Sequence, residues 1–403
     1  MLVQATGGAR GDRTWHRGKC EARGEMVQPG QASVAAREQA WVQTYTERDP
    51  AACVYAGGFP TGMIVDSPMA ASPSVSTFTS ADAPVLVADI GGTNARFALA
   101  DISGARPTVR EAHSLPNADF ASLQHAAEHY LERTGARPKR AAIAVASPVN
   151  TDEIRLTNRA WSFNQRELRQ ALALDELRMV NDFGAVAWAV PALQGEDRVH
   201  LYGPVEALGA GPVSVLGPGT GLGVGLLVGS EAAGWHVVET EGGHASFAPL
   251  NAEEEAIARW LAARHGRVSN ERLLCGHGLS CIDAVLRGEP TGREAVLRSP
   301  AEVVRLALDG HDQAARRALA RFCAVLGSVA GDIALTHGAR CVTIAGGMVP
   351  RFLPFLRSSA FRERFLAKGR FVAYLEAVAV QVVTHPYPGL LGAAMSMRET
   401  GGR

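Results

Sequence analysis

From residue 84 onward, short apolar runs alternate with longer segments whose apolar residues recur at helical spacing. Runs rich in Val, Ile, Leu and Ala that precede a glycine-rich or polar turn indicate strands. The pattern predicts strands at 85–88, 97–99, 140–145, 177–180, 213–216, 224–228 and 341–345, and helices at 118–133, 164–172, 185–191 and 312–336. Asn251 and Ser299 are expected to cap two more helices. Strands that alternate with helices in this way favour an α/β fold with parallel pairing.

The stretch Asp-Ile-Gly-Gly-Thr-Asn, which joins the first two predicted strands, is the most informative part of the chain. Gly91 and Gly92 let the backbone fold back, and because they lack a Cβ they let N–H groups approach a phosphate closely. Thr93 and Asn94 add side-chain donors. Asp89 lies where the strand ends, in a position to bind a metal ion or its water shell. An ordinary hairpin with a Gly-Gly turn is the alternative interpretation.

A second glycine turn, Gly-Pro-Gly-Thr-Gly-Leu-Gly at 217–223, repeats the arrangement of strand, turn and strand in the other half of the chain. Two such turns suggest a cleft that grips a polyphosphate from both sides. Other phosphate motifs do not fit, because no Gly-x-Gly-x-x-Gly opens a helix and no lysine stands in a Walker loop. The lysines are Lys19, Lys139 and Lys368. Phosphate charge must then be met by backbone N–H groups, helix N-termini, arginine or Mg²⁺.

Candidate residues for a hydroxylated substrate follow at three places in the chain. Asn181 and Asp182 come directly after an apolar strand, where a carboxylate could accept a hydroxyl proton and an amide could hold that hydroxyl. Glu241 and His244 flank two glycines and could bind vicinal hydroxyls. A solvated Asn-Asp turn is the alternative for the first pair, and a plain helix-end carboxylate is the alternative for Glu271. Zinc is disfavoured, since no second His or Cys stands at ligand spacing.

Composition narrows the class of protein. The chain has 403 residues, a formal net charge of zero and 47% hydrophobic residues, which is enough for two domains and argues against a general nucleic-acid surface. No apolar run approaches the roughly 18 residues of a membrane helix, and the first residues lack the core of a signal peptide. Six cysteines without Cys-x-x-Cys spacing suggest reduced thiols and a cytoplasmic location.

Residues 1–83 lack periodicity and are predicted to be disordered. A second interpretation is that this segment is translated from sequence upstream of the true start codon.

These features together describe a phosphoryl donor held by glycine turns and a polyol acceptor held by polar side chains. Such a site needs no covalent intermediate, because positioning and Mg²⁺ supply most of the catalysis.

The sequence resembles the bacterial glucokinases, a hexokinase-like branch of the actin-type ATPase superfamily. The resemblance covers residues 84–398 and rests on motifs in the family's order: DIGGTNARFAL, LTNRAWSF, VNDFGAVAWAVP, GPGTGLGV, EGGHASFAP, VSNERLLCGHGL, IAGGMVPRF and YPGLLGAA. It implies ATP-dependent phosphorylation of glucose to glucose 6-phosphate with Mg²⁺ as cofactor.

The resemblance also implies roles for individual residues. Asp182 would be the general base toward the sugar 6-hydroxyl, and Asp89 would hold Mg²⁺ through water. The other glucose-binding residues would be Asn158, Asn181, Glu241, His244 and Glu271. ATP would be bound by Ala88, Asp89, Ile90, Gly91, Gly92, Thr93 and Asn94 in the first turn, by Gly219, Thr220 and Gly221 in the second, and by Gly346 and Gly347 beside the adenosine.

The implied fold is a two-domain, actin-like and ribonuclease-H-like ATPase with an interdomain cleft. The small α/β domain would comprise 84–192 and 384–398, and the large one 193–383. Homodimers are common in the family, and neither a nucleic acid nor a membrane is expected as a partner. The resemblance leaves open whether the acceptor is another hexose or an N-acetylhexosamine. It also leaves open whether polyphosphate can replace ATP as the donor. A sugar-responsive regulator is a further alternative, which would need a helix-turn-helix that residues 31–48 alone do not supply.

Overall fold

The structure, a computed structural model, describes residues 83–147, 149–156, 161–292 and 294–398. Apart from Ala83, the segment 1–83 lies outside the described residues, and so does Asn158. The described strands, in chain order, are β1 (Val85–Ile90), β2 (Asn94–Asp101), β3 (Thr108–Pro116), β4 (Arg140–Val145), β5 (Glu153–Arg155), β6 (Ser162–Asn164), β7 (Glu176–Asn181), β8 (Arg198–Tyr202), β9 (Val213–Pro218), β10 (Leu222–Ser230), β11 (Gly234–Thr240), β12 (Cys341–Ile344) and β13 (Ala379–Val383).

The described α-helices are α1 (Leu123–Thr134), α2 (Gln165–Ala171), α3 (Asp182–Ala189), α4 (Ala252–His265), α5 (Asn270–Leu273), α6 (Gly276–Leu286), α7 (Pro300–Asp309), α8 (Gln313–His337), α9 (Leu353–Ser358), α10 (Phe361–Leu366), α11 (Val372–Glu376) and α12 (Pro388–Ser396). Side chains satisfy the free N–H groups at several helix starts, as the sequence predicted. Asn251 accepts a hydrogen bond from the Glu254 N–H, and Ser299 accepts one from the Glu302 N–H.

The strands form two larger sheets of the same design. The first has the order β3-β2-β1-β4-β7 and the second has the order β11-β10-β9-β12-β13-β8. In the first sheet β1, β4 and β7 are parallel, and in the second β9, β12 and β13 are parallel. In each sheet an antiparallel hairpin, β1–β2 or β9–β10, carries a glycine turn at the carboxyl end of a parallel strand. Both glycine turns therefore lie where α/β sheets bind ligands.

Two helices pack between the sheets and against each other. Helix α3 contacts β10 and β11, while α12 contacts β1 and β4. The helices approach so closely that a Cβ on Gly392 would overlap the carbonyl oxygen of Ala185. Because α3 follows β7 directly, the end of the first sheet is fixed against the hairpins of the second.

Helix α8 runs through the larger hydrophobic core. Its side chains from Ala315 to Ala334 are mostly buried, and Cys323 is among them. The helix is long and apolar enough to cross a membrane, which the sequence pattern did not indicate, but 78% of its most apolar window is buried inside the protein. It is therefore the core helix of this fold. Cys275, Cys281 and Cys341 are also buried free thiols.

The local predictions hold for the α/β alternation and for most elements within a few residues. Helix α1 begins at Leu123 rather than at 118, because Ser122 caps it. Helix α3 begins at Asp182 rather than at 185, capped by Asn181. Strands β3, β5, β6, β8, β11 and β13 have no counterpart among the predicted strands. The division into domains at 192/193 and 383/384 stays a prediction.

Candidate active site

The first glycine turn continues from the carboxyl end of β1. The Gly91 N–H donates to the Asn94 carbonyl oxygen at 3.0 Å, which closes the turn. Asn117, at the end of β3 and only 1% exposed, holds the turn from outside. Its Nδ2 donates to the Gly91 oxygen at 2.8 Å, and its backbone N–H donates to the Thr93 oxygen at 2.9 Å.

The second glycine turn lies beside Gly346 and Gly347, which follow β12, because β9 and β12 are parallel neighbours. The Ala345 N–H donates to the Leu216 oxygen at 2.8 Å, extending the pairing past the end of β12. Gly346 has a φ of 90°, and a Cβ there would lie 2.5 Å from the Pro218 oxygen. Only glycine permits this approach. The residues implied to bind the nucleotide tail and the adenosine are thus adjacent.

The second turn is also joined to the start of α6. The Gly276 N–H donates to the Gly219 oxygen at 2.9 Å, and the Gly219 N–H donates to the Gly221 oxygen at 2.8 Å. Thr220 at the tip is exposed. The tip of the turn is therefore held in shape while it faces solvent, as a phosphate-binding loop requires.

Asn181 and Asp182 form the junction between β7 and α3. The Asn181 Oδ1 caps the helix, accepting from the N–H groups of Phe183 and Gly184 at 3.0 Å each. The Asn181 N–H donates across to the Glu239 Oε1 in β11 at 2.9 Å. Asp182 is thereby fixed at the first position of α3, at the carboxyl end of a parallel strand.

The pKa of the Asp182 carboxyl group is raised by its surroundings. Burial raises its pKa to about 6, and the nearby charges of Asp89 and Glu241 act in the same direction. A hydrogen bond from the Phe183 N–H, 2.8 Å from Oδ1, opposes the shift. A carboxylate with a pKa near neutrality is a better proton acceptor than an ordinary one, and at neutral pH it is still mostly ionised.

Asp89 lies at the end of β1 and interacts electrostatically with Asp182. Burial raises its pKa, while Arg96, whose Nη1 is 3.3 Å from the Asp89 Oδ2, lowers it in part. The N-terminus of α12 lies directly against this carboxyl, since a Cβ on Gly389 would be 2.9 Å from its Cγ. Asp89, Asp182 and Glu241 are thus brought to one place from both sheets.

Glu241, His244 and Glu271 also converge. The His244 Nε2 is 3.8 Å from the Glu241 Oε2 and 3.9 Å from the Glu271 Oε1. The Glu241 side chain is 76% exposed, whereas that of Glu271 is 26% exposed because it packs on the second glycine turn. There the Glu271 Oε2 accepts a hydrogen bond from the Leu222 N–H at 3.0 Å.

Short backbone pairings hold these three residues in register. Ser246 and Ser269 form an antiparallel bridge, and the Asn270 N–H donates to the Ala245 oxygen at 2.9 Å. Gly243 lies so close to the Leu222 carbonyl group that a Cβ would overlap it. Glu241, His244 and Glu271 are therefore held against the same hairpin that carries the second glycine turn.

The oxygen donors suit a magnesium ion bound chiefly by phosphates. Mg²⁺ is commonly held by one or two carboxylates together with substrate phosphates and water. Asp89 supplies such a carboxylate beside the first turn. Among the described residues no group of three or more His, Cys, Asp or Glu side chains could hold a metal by itself.

Two of the residues implied to bind ATP have side chains that a ligand cannot reach. Ala88 and Ile90 are fully buried in β1 and paired on both sides, so they support the turn from within the sheet. Asn158 lies outside the described residues.

Sequence reasoning missed Asn117, Phe183 and Glu239. Asn117, the Phe183 ring and Glu239 contact residues that are distant in the chain. The sequence marked only Phe183 as a candidate, because it follows Asp182 directly.

Comparisons with known proteins agree with this arrangement. A family model described as glucokinase matches residues 86–400. The glucokinase of Chromobacterium violaceum is 45% identical over 318 residues, which are 78% of this chain and 90% of that protein. The crystal structure of a glucokinase from an Antarctic psychrotroph matches with a TM-score of 0.70 at 36% identity, covering 79% of this chain and 99% of the other.

A more distant structure shares the fold. The glucokinase of Balamuthia mandrillaris, solved in complex with glucose, has a TM-score of 0.66 at 20% identity and covers 79% of this chain and 94% of its own. The predicted actin-like α/β ATPase fold is therefore confirmed. By both the family model and the identity to curated relatives, the chain belongs to the glucokinase family.

Proposed function

We propose that this protein transfers the γ-phosphoryl group of ATP to the 6-hydroxyl of D-glucose, giving glucose 6-phosphate. The observation that carries the proposal is the convergence of a half-buried, high-pKa carboxyl, Asp182, with a polar sugar-binding set and two glycine turns. Membership of the glucokinase family supports the same reaction.

Asp182 is proposed as the general base. Its pKa of about 6 leaves it ionised at neutral pH and able to accept the proton of the attacking hydroxyl. The Asn181 cap and the Phe183 N–H fix the carboxylate at the start of α3. Because the nucleophile is a neutral hydroxyl, correct positioning and removal of its proton are the protein's main contributions at this end of the transfer.

Glucose is proposed to lie against Asn181, Glu241, His244 and Glu271. Carboxylates accept two hydroxyl protons each, and an imidazole can donate or accept, so this set suits vicinal hydroxyls. Asn158 is retained in the proposed set on the strength of the sequence resemblance alone.

ATP is proposed to lie with its phosphates between the turns at Gly91–Asn94 and Gly219–Gly221, and with its adenosine at Gly346 and Gly347. Backbone N–H groups would contact the phosphates, since the described turns contain no lysine. Asp89 would hold Mg²⁺ through water, and the ion would neutralise charge on the phosphates when bound. A homodimer and a cytoplasmic location, where ATP is available, are part of the same proposal.

The test is a coupled assay of the purified full-length chain against a panel of hexoses and phosphoryl donors, with Asp182→Asn as the matched variant. We expect glucose and ATP to give the highest kcat/KM. Asp182→Asn should retain glucose binding and lose about 10²-fold or more in kcat, because the amide cannot accept the proton. A preference for an N-acetylhexosamine or for polyphosphate would overturn the substrate assignment, and near-normal turnover of Asp182→Asn would remove that residue from the base role.

A further inference from the structure

The second glycine turn is bounded by two glycines that face each other across the hairpin. Gly217 in β9 and Gly223 in β10 are paired residues in the antiparallel ladder. The aromatic ring of Phe183 lies over this pair. Phe183 directly follows Asp182 in the chain and belongs to α3, which extends from the other sheet.

The space above these glycines is filled by the ring. A Cβ on Gly223 would overlap the Phe183 ring, and a Cβ on Gly217 would lie 2.9 Å from its Cε2. Contacts this short do not occur between real carbon atoms, so an alanine at either position would displace the ring or the strand. The absence of a side chain at Gly223 therefore serves the packing of Phe183, while Gly217 makes room both for the ring and for the Ala345 carbonyl group, whose oxygen would lie 2.8 Å from a Cβ.

Other glycines in the hairpin do not have this relation to the ring. A Cβ on Gly219, at the tip of the turn, would have nothing within 4 Å. A Cβ on Gly225, two residues beyond Gly223 on the same face, would contact the ring only at 3.9 Å. The close fit is confined to the two positions that flank the turn.

Phe183 is also tied to the carboxylate of Asp182. Its N–H donates to the Asp182 Oδ1 at 2.8 Å and to the Asn181 Oδ1 at 3.0 Å. Any displacement of the ring by the hairpin is therefore passed through one residue to the carboxyl group.

We propose that Phe183 is a positioning residue that sets the separation between Asp182 and the second phosphate turn by packing its ring on the Gly217–Gly223 pair. The proposal rests on the proposed function, in which Asp182 and that turn hold the two reactants. A misplacement of about 1 Å between reacting groups can cost about 10²-fold in rate. The contact would therefore act on kcat and leave the ground-state binding of glucose nearly unchanged.

The test is a double-mutant cycle of Gly223→Ala and Phe183→Ala in the full-length chain, assayed with glucose and ATP. We expect Gly223→Ala alone to lower kcat by about 10²-fold, with the KM for glucose changed by no more than about twofold. Phe183→Ala removes the ring with which the new Cβ collides. In that background Gly223→Ala should cost less than about threefold, so the two effects should be strongly non-additive.

Gly225→Ala is the matched control, because it makes the same change on the same face of β10 without a close contact, and its kcat should equal that of the parent. If Phe183→Ala does not fold, Phe183→Cys takes its place in the cycle, because its single Sγ can adopt a rotamer that points away from the new Cβ. The proposal is overturned if Gly223→Ala lowers kcat by the same factor in both backgrounds, or if Gly225→Ala is equally damaging. An inactive parent protein would instead refute the proposed function, so the two failures are distinguishable.

Discussion

The two glycine turns are alike in sequence and sheet position but differ in what surrounds them. In the first, a Cβ on Gly91 would meet only the Asn94 oxygen, at an ordinary 3.6 Å, and the turn is held from outside by Asn117. In the second, Gly217, Gly221 and Gly223 each leave room for a neighbouring group, and only Gly219 is open. Glycine therefore leaves the backbone accessible in the first turn, whereas in the second turn it mostly makes room for neighbouring groups to pack.

The difference is clearest for Gly221 and Gly91. A Cβ on Gly221 would overlap the Oε2 of Glu271, the same atom that accepts the Leu222 N–H. We expect Gly221→Ala to displace Glu271 and to raise the KM for glucose by about tenfold or more, since a half-buried hydrogen bond to a charged group is lost. Gly91→Ala should leave the KM for glucose unchanged and act on the KM for ATP. Steady-state kinetics with each substrate varied would separate the two effects.

The comparison would fail if Gly221→Ala and Gly91→Ala changed the two KM values in the same proportion. That result would mean that the two turns do not differ in the substrate they affect, and that the contact between Gly221 and Glu271 has no specific effect on glucose binding.

A smaller effect is expected at Asn117, which supports the first turn. Asn117→Ala removes the hydrogen bond to the Gly91 oxygen, worth about 0.5–1.5 kcal/mol. The KM for ATP should rise by about threefold to tenfold, and the KM for glucose should stay the same.

Asn164→Ala is the matched control for Asn117→Ala. Asn164 caps α2, away from both turns, so its loss should lower the Tm and leave the KM for ATP unchanged. Equal effects of the two variants on the KM for ATP would show that Asn117 acts only through general stability.

Much of this molecule could be predicted from local sequence. Strand β4 was predicted with its observed bounds, and the predicted caps at Asn251 and Ser299 locate the starts of α4 and α7. These features depend on residues within one or two turns of each other, where apolar periodicity and capping chemistry act directly. The glycine turns were located for the same reason.

The connections between the elements were not predictable, because they join residues far apart in the chain. The Asn181 N–H meets Glu239, 58 residues later, and Asn117 meets Gly91, 26 residues earlier. Glu239 stands in an edge strand that was not predicted, and nothing in its local pattern marks it as a partner of α3. The packing at Gly221 and Gly223 likewise depends on side chains brought from α5 and α3, respectively.

The central claim is that Asp182 is a general base with a raised pKa, and the pH dependence of kcat/KM for glucose tests it most directly. Since burial raises its pKa to about 6, protonation of Asp182 below that pH removes the base. We expect kcat/KM to be constant from about pH 7 to 8 and to fall about tenfold per pH unit below about pH 6, and the residual activity of Asp182→Asn should lack this break. A flat profile down to about pH 5 in the parent protein, or the same break in Asp182→Asn, would contradict the account.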